Sequence, residues 1–279
     1  MKHSDGTFKG IRDLDIYYQR WLPENESKAI LLIVHGLAEH IGRYMNLVNH
    51  FVPLSYAVYG LDHIGHGKSD GQRVFVKRFE DYTETLKVFY DLVRQENPDK
   101  PIILIGHSMG GLISAYYLLD HQADFMAAVL SGPLIKTTDN APPVLIFIGK
   151  ILSALAPKAG LLKLEAEGVS RDPAVVEAYV NDPLVFTGKM TARLGAELLK
   201  AMQRVTNEAK KITLPLMIIQ GGADRLVDPA GAQMLFEKVG SSEKGLKIYD
   251  GFFHEVFNEP EHEQVMTDVE KWLESRLSG

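Results

Sequence analysis

The stretch Ile102–Gly111, IILIGHSMGG, constrains this chain more than any other: four aliphatic residues run directly into G-x-S-x-G. The apolar run is continuous, β-rich and too short for a helix, so it reads as a buried strand, and Gly110 to Asp120 reads as the helix that follows. The intervening serine must then occupy a sharp strand-to-helix turn. Side chains two positions away would collide with so crowded a backbone, and Gly106 and Gly110 remove them. Gly111 lets the helix approach the sheet. Ser108 is thereby placed above the C-terminal edge of a strand, where open α/β sheets bind ligands. The first turn of the helix favours developing negative charge beside it. A loop that merely joins strand to helix is the plainer reading, but this context points to a nucleophile.

The rest of the chain supplies the sheet. Ala29 to Val34 (AILLIV), Tyr56 to Leu61 and Met126 to Leu130 read as further buried strands. Phe79 to Glu96 sets Tyr82, Leu86, Phe89 and Val93 at helical spacing. Strands alternating with helices imply a parallel sheet with right-handed crossovers. The pattern returns late: a strand over Leu214–Ile219, a helix over Ala230–Val239 opened by Asp228 and Pro229, a strand over Leu246–Tyr249, and a closing helix over Glu261–Leu277 burying Val265, Val269, Trp272 and Leu273. From Ile135 to Val205 the periodicity predicts helices and no strand. One stretch, Val144 to Ala156, is largely apolar, with Lys150 its only charge. The expected architecture is a core of residues 1–134 and 206–279, with residues 135–205 inserted as a helical cap.

Composition narrows the chemistry. A net charge of −6 without any cluster of Lys and Arg argues against nucleic acid as a partner. The chain has no cysteine, which excludes a thiol nucleophile, a thiolate metal site and a disulfide framework. Met1 to Gly10 is polar, so no secretory signal is expected, and no run reaches the roughly 18 apolar residues of a membrane span. A cytoplasmic protein is the default expectation.

A serine nucleophile needs a base and an acid, which in sheets bearing this turn follow it in the order acid, then histidine. His254, in IYDGFFHEVF after the last strand, is the candidate base. His262 falls on the closing helix and reads as solvated. Asp224, in GGAD beyond the preceding strand, is the candidate acid. Asp228 is held in reserve, since its place before Pro229 already explains it as a helix cap. Two backbone N–H donors must face the nascent oxyanion. Met109 supplies one, and Leu37, in the His35-Gly36-Leu37-Ala38 turn after the first buried strand, supplies the other. His35 reads as a structural hydrogen-bonder.

With these residues in place the chain resembles the monoacylglycerol lipase and lysophospholipase branch of the α/β-hydrolases. The likeness rests on HGLAEHIGRY (35–44), GLDHIGHGKSDG (60–71), GHSMGG (106–111), YVNDPLVF (179–186), GGADRLVD (221–228) and LKIYDGFFHEVFNE (246–259), in order along nearly the whole chain. It implies an α/β-hydrolase fold, a mostly parallel sheet flanked by helices under a helical cap. It also implies cleavage of monoacylglycerol to fatty acid and glycerol, through an acyl-enzyme on Ser108 with His254 and Asp224. In that family the acyl chain lies in an apolar cap tunnel and the glycerol head in a small polar pocket, which here implicates Glu39, Arg43, His107 and Tyr179. Each has a plainer reading: an i,i+4 surface ion pair for Glu39 and Arg43, a brace for His107, cap packing for Tyr179. One departure stands out, because the family usually carries a small residue and a glycine where this chain has Leu37 and Ala38. That bulk bears on acyl-chain preference.

The mechanism needs no metal and no organic cofactor, and no obligate protein partner is indicated. The apolar Val144–Ala156 face is expected to pack on the core or line the tunnel; its second reading is transient contact with a membrane or micelle surface. The triad alone does not separate a monoacylglycerol lipase from a lysophospholipase, a general carboxylesterase, a thioesterase or a peptidase. Dehalogenases and epoxide hydrolases carry Asp where this chain has Ser108. A catalytically dead ligand receptor would have lost the serine or the histidine, and both are present.

Overall fold

The computed structural model describes residues 1–137, 152–163 and 165–277. Ten strands are found: β1 (Lys2–Lys9), β2 (Asp15–Leu22), β3 (Ala29–Val34), β4 (Tyr56–Leu61), β5 (Ile102–His107), β6 (Ala127–Ser131), β7 (Gly160–Lys163), β8 (Lys189–Thr191), β9 (Leu216–Gly221) and β10 (Lys244–Tyr249). Eight of them form one sheet in the order β1-β2-β4-β3-β5-β6-β9-β10. β1 and β2 are antiparallel to their neighbours; every other pairing in the sheet is parallel.

The five central strands β3, β4, β5, β6 and β9 are buried along their whole length, as a parallel sheet covered on both faces requires. One face carries the helices Glu80–Glu96, Met109–His121, Ala192–Glu208 and Ala230–Lys238, packed through Leu86, Phe89, Leu112, Leu198 and Leu235. The other carries Met45–Phe51 and His262–Leu277, through Val48, Phe51, Val265 and Leu273. Trp272, expected in that core, is only half-buried, and Met266 takes the interior position.

Two features depart from the sequence reading. The hairpin β1–β2 was not foreseen, because Lys2–Lys9 lies at the sheet edge and is mostly exposed, without an apolar signal. The segment between β6 and β9, read as helical throughout, contains a strand pair, β7 with β8, of four and three residues, too short to register as periodicity. The same segment holds the helix Pro173–Asn181. The helix Ala192–Glu208 packs against Met109–His121. Of the apolar stretch Val144–Ala156, residues 144–151 lie outside the described residues, and 152–155 are helical with Leu155 82% exposed. Among the described residues no helix is long and apolar enough to cross a membrane.

The turn after β5 depends on close backbone approach. A Cβ on Gly110 would overlap the carbonyl oxygens of Val34 and His35, and one on Gly106 would overlap Ser114 Oγ. The first obstacle is rigid strand-end backbone, so Gly110→Ala is expected to destabilise the protein by about 3 kcal/mol, read from urea unfolding. An unchanged midpoint would mean that the helix can slide without penalty.

Candidate active site

Ser108 follows the last residue of β5 with φ 55° and ψ −118°, a left-handed conformation that a non-glycine residue holds only when its surroundings impose it. Three backbone bonds do so. Its N–H donates to Ser131 O at 2.9 Å, and its carbonyl accepts from Leu112 N–H at 3.1 Å and Leu134 N–H at 3.0 Å. The side chain is neither sealed nor fully exposed, and it lines a pocket together with Gly36, Leu37, Glu39, Tyr179 and His254.

His254 and Asp224 arrive from separate loops, after β10 and β9. His254 Nδ1 lies 2.7 Å from Asp224 Oδ2, and both side chains are buried. An ionised carboxylate only accepts, so Nδ1 carries the proton and Nε2 is left as the basic nitrogen. Leu226 and Val227 N–H groups donate to Asp224 Oδ1 at 2.8 and 3.0 Å, and Gln220 Nε2 donates to Oδ2 at 2.8 Å. Burial by itself would lower the His254 pKa, but the Asp224 charge and hydrogen bond outweigh it and hold the pKa above the usual imidazole value. Burial likewise opposes ionisation of Asp224, and the His254 charge and these donors hold its carboxyl below the ordinary range. The reserve acid is committed elsewhere: Asp228 pairs with Lys136 at 2.6 Å and caps Ala230 N–H at 2.9 Å.

The other histidines have structural partners. His35 Nδ1 donates to Gly36 O at 2.8 Å, and its Nε2 accepts from His63 N–H at 2.9 Å. That bonding requires neutral His35, and burial drives its pKa well below the usual value. His262 donates to Glu259 O at 2.8 Å at the start of the closing helix. His107 Nδ1 lies 3.1 Å from Ser131 O, and its ring stands 4.7 Å from that of His254. Burial brings the His107 pKa down to about 3, so a neutral ring faces the pocket.

Met109, the next residue after Ser108, opens the helix, and Leu37, in the turn after β3, lines the same pocket as Ser108; among the described residues no hydrogen-bond partner is found for either N–H. The Leu37 turn is shaped by Glu39, whose Oε1 accepts from Gly36 N–H at 2.6 Å, and by Ala38 at φ 66°. A positive φ here favours glycine, so Ala38 holds this turn under backbone strain. The segment between β6 and β9 is tied to the same turn: Phe186 N–H donates to Ala38 O at 2.8 Å, and His40 Nε2 donates to Asp182 Oδ2 at 2.8 Å.

Glu39 and Arg43 do not form a surface pair. Arg43 Nη1 donates to Glu39 Oε2 at 2.8 Å, and Nη1 and Nη2 grip both oxygens of Glu255 at 2.7 Å each. The guanidinium lies over the Tyr179 ring at 4.6 Å, and Tyr44 OH donates to Glu39 Oε1 at 2.8 Å. Burial raises the Glu39 pKa, whereas Arg43 holds that of Glu255 below normal despite burial. Glu255 was missed in the sequence; its position beside His254 was the available signal. Gln220 was missed as well, although it is the single amide in the apolar run LMIIQ.

Residues 25–261 match the model of a family described as serine aminopeptidase, S33. The chain is 38% identical over 274 residues to a monoacylglycerol lipase of Mycolicibacterium smegmatis, covering 98% of both chains. It is 34% identical over 267 residues to the monoglyceride lipase of Mus musculus, covering 95% of this chain and 88% of that one. The crystal structure of Paleococcus ferrophilus monoacylglycerol lipase superposes with a TM-score of 0.83 at 28% identity, covering 99% of this chain and all of the other. The chain belongs to the serine aminopeptidase S33 family, in the branch of the α/β-hydrolases that holds the monoacylglycerol lipases.

Proposed function

We propose that this protein is a serine hydrolase of monoacylglycerols, with Ser108 as nucleophile, His254 as general base and acid, and Asp224 as the group that orients His254. The Asp224–His254 bond beside a serine held at positive φ is the observation that carries the reading. In the first half-reaction His254 Nε2 takes the Ser108 proton as Oγ attacks the ester carbonyl. The Leu37 and Met109 N–H groups stabilise the oxyanion, and the imidazolium then protonates the departing alcohol. Water, deprotonated by the same nitrogen, releases the fatty acid. The proposal calls for no metal or cofactor. It also assigns residues 135–205 as the cap above a core of 1–134 and 206–279.

The polar end of the pocket supports glycerol as the leaving group. Glu39 and Glu255 belong to its wall as acceptors, with Tyr179 and neutral His107 beside them. No Lys or Arg is found among the described residues that line it. Both terminal nitrogens of Arg43 are already engaged by the two glutamates. Hydroxyl groups can donate to these carboxylates; a phosphate finds no unpaired cation and meets like charge. The expected outcome is a kcat/KM at least about 100-fold higher for monoacylglycerol than for lysophosphatidate of the same acyl chain, corresponding to roughly 2.7 kcal/mol of discrimination. Comparable rates on the two would sink the glycerol assignment while leaving the triad standing.

Since His254 must be neutral to accept the proton and its pKa is raised, kcat/KM should climb with pH along a limb centred above 6.5. A limb centred below 6 would contradict the Asp224 interaction. On the described part of the cap, Leu155, Leu161 and Val180 are exposed, which supports transient contact with a lipid surface.

A further inference from the structure

Strand β9 reads LMIIQG and is buried from end to end, yet it contains the fully buried amide of Gln220. Gln220 Nε2 donates to Asp224 Oδ2 at 2.8 Å and to the Gly221 carbonyl at 3.2 Å. Both partners are pure acceptors, which sets the orientation of the amide. Its Oε1 then points into the interior without a hydrogen-bond partner among the described residues. A buried acceptor with no donor destabilises the fold, and a side chain of the same length without polar atoms would pack there without that penalty.

We propose that Gln220 is a positioning residue for the reaction, fixing Asp224 Oδ2 and drawing charge from it, and thereby setting the basicity of His254. The inference rests on the triad reading given above. Asp224 Oδ1 is already held by the Leu226 and Val227 amides, so Oδ2 is the oxygen whose direction and charge remain to be set. It accepts both from His254 Nδ1–H and from Gln220. Shared between two donors, the oxygen attracts the imidazolium less strongly. Without Gln220 it would be freer to swing and would hold the His254 proton harder.

The test is Gln220→Met, which keeps side-chain length and removes the amide. Three readouts are needed: the pH profile of kcat/KM on a short nitrophenyl ester, thermal unfolding, and the downfield proton NMR resonance of His254 Nδ1–H. We expect the acid limb to move up by about half to one pH unit, kcat on the alkaline plateau to fall about tenfold, and the downfield resonance to shift. The melting temperature should equal or exceed that of the wild type, because the orphaned oxygen is gone. An unmoved limb and resonance, or a loss of activity that tracks a lower melting temperature, would assign Gln220 to packing and overturn the proposal, as would a variant that fails to fold. Labelling of the wild-type protein by a fluorophosphonate separates the two layers. Labelled Ser108 with an unmoved limb in Gln220→Met defeats this inference alone, whereas an unlabelled Ser108 defeats the triad reading on which it stands.

Discussion

Ser108→Ala is expected to lower kcat on a monoacylglycerol by about four to six orders of magnitude, leaving the fold intact. The size follows from the division of labour. Without Oγ the proposed acyl-enzyme cannot form, and on that proposal what survives is the acceleration that the Leu37 and Met109 amides give to direct attack by water. Stability should hardly change. Alanine inherits the strained backbone of Ser108 at φ 55°, and the bonds that impose it, to Ser131 O and from Leu112 and Leu134 N–H, are all main-chain. Melting temperature within about 2 °C of the wild type, with fluorophosphonate labelling abolished, is the signature sought. A well-folded variant retaining a tenth or so of its activity would show that the nucleophile lies elsewhere.

Arg43→Leu is expected to cost the protein stability. Arg43, with a side chain only 10% exposed, is the shared partner of Glu39 and Glu255, whose side chains are 5% and 6% exposed. Deleting the cation leaves two buried carboxylates without their shared partner, for which about 3–5 kcal/mol is the usual penalty. The loss should depend on pH. With the guanidinium gone, burial and mutual repulsion raise both carboxyl pKa values above their unfolded values, so folding takes up protons and stability falls as pH rises. The deficit against wild type should therefore be larger at pH 8 than at pH 5, measured by urea unfolding at each. The exposed pair Lys9–Asp15 serves as a control, and its removal by Lys9→Ala should leave the urea midpoint essentially unchanged. A deficit under about 1 kcal/mol for Arg43→Leu at both pH values would mean that water or a neighbouring donor replaces the cation.

Much of the scaffold was legible because its signals are local. AILLIV and IILI are short, continuous and rich in β-branched residues, and β3 has the predicted bounds of Ala29–Val34. G-x-S-x-G marks its own turn, since a Cβ at Gly106 or Gly110 has nowhere to go. The β1 edge strand gave no such signal, because KHSDGTFK has almost no face to bury. Between β6 and β9, strands of three and four residues are set by pairing with each other rather than by their own pattern.

Sequence by itself determined the alternation that builds the sheet, the turn that presents Ser108, and the chain order in which acid and histidine follow, because each is written in neighbouring residues. Only the tertiary structure decided what surrounds them. It set Glu255 onto Arg43 from 212 residues away, aimed the Gln220 amide at Asp224, and turned an apparent surface pair of Glu39 and Arg43 into a buried charge cluster. The physical reason is that burial and electrostatic pairing belong to positions in space: a carboxylate acquires its pKa, its partner and its chemistry only when the fold removes water and brings a distant charge to it.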